Sequence, residues 1–285
     1  MKKTALIIGI LLSVFVSQAQ NNTPTSDTKA PLDGLYVKEN AVGKTARPYT
    51  PVREADMYFE KRIWRQIDMR EKMNQYLYYP TQQTQDRISF MGMVMKELEA
   101  GNLQAYDAST DDFTKPITYA EIMSANTTTT TKEVEDLDNP GEMIQQTTTS
   151  EFSVEDVKLL RVKEIYFIDK QRGVREIRVL GICPLIEIFD DNGVLIGTTP
   201  IFWLYYPDCR EIFANYEAFN RHNSAMRMSY DDVFAYKRFF NSYIVKEDNA
   251  QDRSIQEYAV GKQVIFEGKR IEQELFNKEQ DLWEY

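Results

Sequence analysis

Between residues 53 and 74 the apolar side chains Phe59, Ile63 and Ile67 recur every four positions, and charged residues fill much of the remainder. That spacing predicts an amphipathic helix. Met57 and Trp64 widen its stripe, Asp68 and Lys72 are placed for an i,i+4 ion pair, and Pro80 ends the run. A second helix is expected near 85–100, with Ile88, Met91, Met95 and Leu98 on one face and Gly101 as a left-handed stop. Thr118 and Glu121 have capping-box spacing, so a short third helix starts there. Residues 125–150 break the rhythm with consecutive threonines at Thr127–Thr131. They read as a Thr-rich mobile insertion, with two ribbons around a turn at Asn139-Pro140-Gly141 as the alternative.

The pattern then changes to runs rich in Val, Ile, Leu and aromatics at 158–169, 175–189 and 194–206, separated by Arg172-Gly173 and Asp191-Asn192-Gly193. These predict three strands joined by hairpin turns. In the second strand Ile177, Val179 and Cys183 fall on one face and Leu180, Ile182, Ile186 and Ile188 on the other. Apolar residues on both faces indicate a sheet covered on both sides. Pro184 and Pro200 mark bulges or edges. Helices are expected again at 210–219, from the cap at Ser229 to Tyr243, and at 269–282. Helices, then strands, then helices give an α+β class: an antiparallel three-strand meander covered by helices from the N- and C-terminal halves.

The ends of the chain change the picture. Lys2 and Lys3, an apolar run from Ala5 to Val16, and Ser17-Gln18-Ala19 form a secretory signal peptide at 1–19. Its apolar run is shorter than the ~20 residues a spanning helix needs. Residues 20–52 read as an extended arm or linker, and 53–285 as a single α+β domain. The formal charge is −10, becoming about −12 once Lys2 and Lys3 leave with the signal. Such an acidic chain is repelled by phosphate, so no nucleic-acid partner is expected. The two cysteines, Cys183 and Cys209, would be exported to a compartment that permits disulfides. Register places Cys183 opposite roughly residue 202 and Cys209 about seven residues further on. That favours two buried thiols unless the chain doubles back after Pro207.

Chemistry is sparse. The single histidine, His222, sits in a polar break between helices, so a Ser-His-Asp or Cys-His arrangement has little to build on. No zinc-ligand spacing and no glycine-rich phosphate cradle is present. Asp190-Asp191-Asn192-Gly193 lacks the spaced ligands of a calcium loop. No catalytic, cofactor-binding or metal residue is therefore assigned, and no cofactor is expected. The aromatic and Arg-rich blocks point instead to partner binding, because Trp, Tyr and Arg dominate interface hot spots. The partner-binding candidates are Arg53, Arg62, Trp64, Arg65, Arg70, Trp203, Tyr205 and Trp283.

Four blocks carry a resemblance: READMYFEKRIWRQIDMREKMN with the following YYP, IGTTPIFWLYYPDCREIFANYEAFN, AMRMSYDDVFAYKRFFNSYIVKEDN and LFNKEQDLWEY. Together they resemble the gliding-motility protein N family (GldN, also called PorN) from about Arg47 onward. The resemblance implies a non-enzymatic periplasmic subunit of the type IX secretion system, peripheral to the outer membrane. It implies a ring built by self-association and with an outer-membrane lipoprotein of the GldK (PorK) type. It also implies contact with the periplasmic parts of GldL- and GldM-type motor proteins. A ring requires head-to-tail contacts through two different faces, and the arm at 20–52 and the helix at 269–282 are candidates to reach a neighbour. Two rival readings are an exported hydrolase using a carboxylate pair and a monomeric periplasmic binding module.

Overall fold

A computed structural model describes residues 45–84, 87–135, 143–150, 152–190, 193–223, 225–236 and 241–281. The signal segment, most of the arm, Leu282 and Trp283 lie outside them. The described residues all fall in one compact unit, residues 40–285. The first half contains β1 (Met57–Asp68), α1 (Gln75–Tyr78), α2 (Phe90–Glu99), β2 (Ala105–Tyr106), β3 (Pro116–Ile117), α3 (Tyr119–Asn126), β4 (Thr128–Glu135) and β5 (Met143–Ser150). The long strands β6 (Val157–Asp169) and β7 (Val174–Phe189) follow, with β8 (Leu195–Pro200) and β9 (Trp203–Tyr205). The chain continues through α4 (Tyr206–Asn215), β10 (Glu217–Ala218), β11 (Met228–Ser229) and α5 (Tyr230–Tyr236). It closes with β12 (Tyr243–Glu247), α6 (Ile255–Tyr258) and α7 (Lys262–Gln280).

The class is α+β, but the sheet has eight strands rather than three, in the order β12-β1-β6-β7-β9-β2-β3 with β8 also paired to β7. Every pairing is antiparallel. The largest departure from the expected elements is β1, where a helix was predicted. A spacing of four is even, so Phe59, Ile63 and Ile67 share a face in a strand as well as in a helix. Alternation decides: Tyr58, Glu60 and Arg62 are exposed while Phe59, Lys61 and Ile63 turn inward. The expected Asp68–Lys72 helical pair gives way to Arg70 on Asp68 at 2.9 Å.

Other predicted elements shift less. α2 is capped by Ser89, whose side chain accepts from the Gly92 N–H, and Gly101 has the left-handed φ of +74° expected of a stop. The Thr118–Glu121 capping box is present at the start of α3. Residues 128–135 and 143–150 form a two-stranded ribbon, the alternative to the mobile loop. β-branched threonine suits extended backbone. The helix expected at 229–243 is described over Tyr230–Tyr236, residues 237–240 lie outside the described residues, and Tyr243 begins β12. That expected at 210–219 begins at Tyr206 and ends at Asn215, while the last one starts at Lys262.

One face of the sheet is covered by helices from both halves. Ile67, Val162 and Ile182 pack with Phe90 and Val94 of α2, Phe213 of α4 and Phe234 of α5. Ile63, Tyr166 and Ile244 pack beneath Ile271 and Leu275 of α7. The other face carries Trp64, Leu159, Cys183, Leu185, Trp203 and Val245, roofed by Tyr106 and Phe113 from the β2–β3 segment. An irregularity corrects the predicted faces of β7. Glu164 pairs with Val179 but Lys163 with Gly181, leaving Leu180 as the extra residue. Ile177, Val179 and Ile182 therefore share a face, and Cys183 points the opposite way. Gly181 is required where it stands: a Cβ there would lie 2.5 Å from the Phe113 ring. Both cysteines are free and buried.

Under the helices, Asp231 accepts from Arg210 through two bonds (Nε 2.9 Å, Nη2 3.1 Å) and from the Tyr206 hydroxyl at 2.6 Å. All three residues are buried. The bidentate fork satisfies a carboxylate that would otherwise be costly to enclose. The Tyr49 ring lies 4.0 Å from the Arg210 guanidinium and 4.8 Å from that of Arg178. These stacks anchor the described end of the arm to the fold.

Candidate functional site

On the face roofed by Phe113, register aligns Lys246 of β12, Trp64 of β1, Lys163 of β6 and Gly181 of β7 in one row. The Trp64 Nε1–H donates to Asp111 Oδ2 at 2.8 Å. Lys163 meets the same carboxylate at 3.2 Å and donates to the Asp111 carbonyl at 2.8 Å. The two ammonium groups approach the Trp64 ring, Lys246 at 4.6 Å and Lys163 at 5.5 Å. Lys246 is paired with Asp252 at 2.5 Å. This row floors a groove of about 650 Å³ whose lining includes Arg62, Trp64, Arg161, Trp203 and residues 108–112.

The groove brings together three of the partner-binding candidates, Arg62, Trp64 and Trp203. Of these only Arg62 reaches solvent: Trp64 and Trp203 keep 6% and 4% exposure. Tyr205 lies beside it with its ring centroid 5.2 Å from Phe113. The others are elsewhere. Arg65 points to the opposite face, where it bridges Glu164 at 3.1 Å and Glu272 of α7 at 3.3 Å. Arg70 is half exposed and holds Asp68 and, at 2.8 Å, Glu187. Arg53 is exposed and paired with Asp56 at 2.9 Å. Trp283 lies outside the described residues.

Catalysis by a carboxylate pair needs two acids flanking one reacting bond. Here Asp111 and Asp252 each meet a lysine, an arrangement that ties loops to the sheet. Among the described residues no group of three or more His, Cys, Asp or Glu converges as a metal-ligand set. Burial pushes the Cys183 and Cys209 thiols up to about 12, which suppresses thiolate chemistry. His222 is exposed, in a turn where its N–H donates to Asn220 Oδ1.

A surface absent from the candidate set is the tip of the β7–β8 hairpin. Ile188, Phe189, Val194, Leu195 and Ile196 are 45%, 50%, 63%, 50% and 68% exposed. Among the described residues β8 pairs with β7 alone, which leaves its outer edge open. The sequence pattern pointed the other way: Val194-Leu195-Ile196 is an uninterrupted apolar run, which reads as a strand covered on both faces.

No helix among the described residues is long and apolar enough to cross a membrane. No curated protein matches the chain at a significant level. The model of the family described as "Gliding motility associated protein GldN" matches residues 52–284. That match takes in every element of the eight-stranded sheet and all the helices above, and the chain belongs to the GldN family.

Proposed function

We propose that this chain is a non-catalytic periplasmic subunit of the type IX secretion and gliding machinery. In this reading it forms a ring complex with an outer-membrane lipoprotein of the GldK (PorK) type and meets the periplasmic parts of the GldL- and GldM-type motor proteins. The single observation that carries the reading is the family match over residues 52–284, and the apolar tip and open edge of the β7–β8 hairpin supply a surface for a partner. An open edge takes up an extended segment by strand addition, with apolar side chains fixing its register. We assign that edge to the lipoprotein. Of the residues first marked for partner binding, Arg70 is exposed and bonded to Glu187, which pairs with Thr198 of β8, so it stands as the rim contact of this edge; Arg53 and Arg62 reach solvent away from it.

The test is a pull-down of the tagged chain from membranes followed by negative-stain imaging. The lipoprotein is expected to co-purify in large particles. The double substitution Leu195→Asp and Ile196→Asp is expected to lower its recovery at least about tenfold. A chain that emerges alone, or a double variant with undiminished recovery, overturns the assignment.

A further inference from the structure

A second groove, of about 480 Å³, lies between α1 and the segment that joins β10 to β11. Its floor is apolar, with Met73, Tyr76, Tyr79 and Phe219 among its residues. Met73, Tyr79 and Phe219 are 61%, 54% and 39% exposed, large values for such side chains. The Tyr76 hydroxyl is buried without a hydrogen-bond partner. The charged residues of the lining are Lys72 and Arg221, and no carboxylate contributes to it. Arg87 adds a third positive charge 4.5 Å from the Phe219 ring. On a chain of net charge −10, an apolar groove rimmed by cations alone selects for an occupant with acids between large apolar side chains.

The chain contains such a segment. Asp281-Leu282-Trp283-Glu284-Tyr285, directly after α7, intersperses two acids among Leu, Trp and Tyr. It cannot serve its own groove. α7 is fixed over the sheet by Arg65 on Glu272, by the Tyr166 hydroxyl on the Leu275 carbonyl at 2.8 Å, and by Arg175 on Glu279 at 2.6 Å. Arg175 pairs with Ile168, which pairs with Phe59, so α7 ends at the start of β1. The groove follows the other end of β1, beyond Asp68. From Phe59 to Asp68 a strand spans roughly 30 Å, whereas five extended residues reach roughly 17 Å.

We propose that the groove receives residues 281–285 of a second copy of this chain. Because α7 ends at one end of the sheet and the groove lies at the other, donor and acceptor are different surfaces, the condition for a head-to-tail contact. Such a contact repeats from copy to copy and closes into a ring when the rotation allows. Trp283 fills the apolar floor, while Asp281 and Glu284 face Lys72 and Arg221. The proposal rests on the assembly reading above for its biological setting, but it concerns self-contact alone.

Its test therefore uses the purified full chain without a lipoprotein. A photoreactive benzoylphenylalanine replaces Trp283, and heavy- and light-isotope preparations are mixed before irradiation. Heavy–light adducts on residues 72–79 or 219–228 are expected, with a yield that falls as salt is raised. Arg221→Glu in the acceptor is expected to cut that yield at least about tenfold, and Glu284→Arg in the donor to restore it. Adducts confined to the same chain or mapping to another surface overturn the proposal, as does no intermolecular adduct at all. An Arg221→Glu acceptor that captures the wild-type donor undiminished also overturns it. In cells, a donor that labels only the lipoprotein likewise sinks it. The lipoprotein pull-down reads neither residue 283 nor this groove, so the two proposals fail separately.

Discussion

Trp64 and Trp203 on one side, and the β7–β8 hairpin tip on the other, present opposite relations between residue type and role. The tryptophans belong to the aromatic, Arg-rich blocks whose composition resembles a binding hot spot, yet they are enclosed. Lysines approach the Trp64 ring, Asp111 takes its N–H, and Phe113 packs edge-on to Trp203 at 6.1 Å. The exposed apolar residues beside the hairpin turn are four aliphatics and one Phe, and they face solvent. Hot-spot composition describes side chains suited to dense packing. A strand in mid-sheet uses them internally, and a strand at an edge leaves even ordinary aliphatics available to a partner.

The contrast breaks most visibly in stability. Trp203→Ala empties a buried site against Phe113 and Cys183 and is expected to cost about 3–5 kcal/mol. For a domain of this size that lowers the thermal midpoint by roughly 6–20 °C. Leu195→Ser, with half of the side chain already in water, is expected to stay within about 0.5 kcal/mol. Thermal melts of the two variants measure the difference directly. A Trp203→Ala protein as stable as the parent would put that ring on the surface and collapse the comparison.

A smaller separation is expected for the arginines of β1. Arg65→Ala strips the Nε partner from Glu164, a carboxylate 1% exposed, and removes the tie to α7. Leaving a buried charged group short of a donor is expected to cost about 2–3 kcal/mol. Arg62→Ala, three positions earlier on the opposite face and exposed, is expected to change stability by less than about 0.5 kcal/mol. Urea denaturation resolves the two. Equal midpoints would mean that the Arg65–Glu164 contact contributes nothing.

Where a signal is local, the sequence reading holds: the capping box at Thr118 and the left-handed Gly101 mark helix ends by themselves, whereas the Ser89 cap was passed over and the helix expected from about 85 starts at Phe90. β1 failed because apolar residues four apart satisfy two periodicities, and the deciding alternation from Tyr58 to Ile63 involves a lysine and a tyrosine on unexpected sides. The extra strands were out of reach for another reason. β2 has two residues and β12 five, too few to carry a period, and both are held in place by neighbours distant in sequence. The burial of Trp64 depends on Asp111, 47 residues away, so no window around Trp64 reveals it. The exposure of Val194-Leu195-Ile196 was hidden as well, because apolar residues on both faces of a strand read as burial on both.

Solvent access separates the enclosed face from the open one on a finer scale through its thiol. Cys183 lies under Trp203 and Leu185, and burial pushes its thiol up to about 12. A thiol reagent at pH 8 is expected to modify neither Cys183 nor Cys209 in the native protein and both in urea. A cysteine introduced at Ile196 is expected to react at once, since that position is 68% exposed. Native labelling of Cys183 on the same timescale would show that the roof over this face opens freely.

The smallest expected effect concerns how that roof is latched. The segment carrying Asp111 and Phe113 leaves the sheet at Asp107, whose N–H donates to the Lys115 carbonyl at 2.9 Å, and the two side chains pair at 2.8 Å. The hydrogen bond from Lys115, followed by bonds from Ser109, holds the Asp107 carboxyl down to about 2. A carboxyl whose folded value is depressed stabilises the fold fully above its unfolded value near 4. That contribution is lost as pH falls from about 4 toward 2. The pair is exposed, so its share is small. The observable is optical: between about pH 4 and pH 2 the emission of Trp64 and Trp203 is expected to shift red as the roof loosens. Lys115→Met removes the donor that depresses Asp107. In that variant the part of the shift due to Asp107 is expected to move toward pH 4, while melts at pH 7 barely change. Identical pH profiles for the parent and Lys115→Met would detach the Asp107–Lys115 pair from the closure of the tryptophan face.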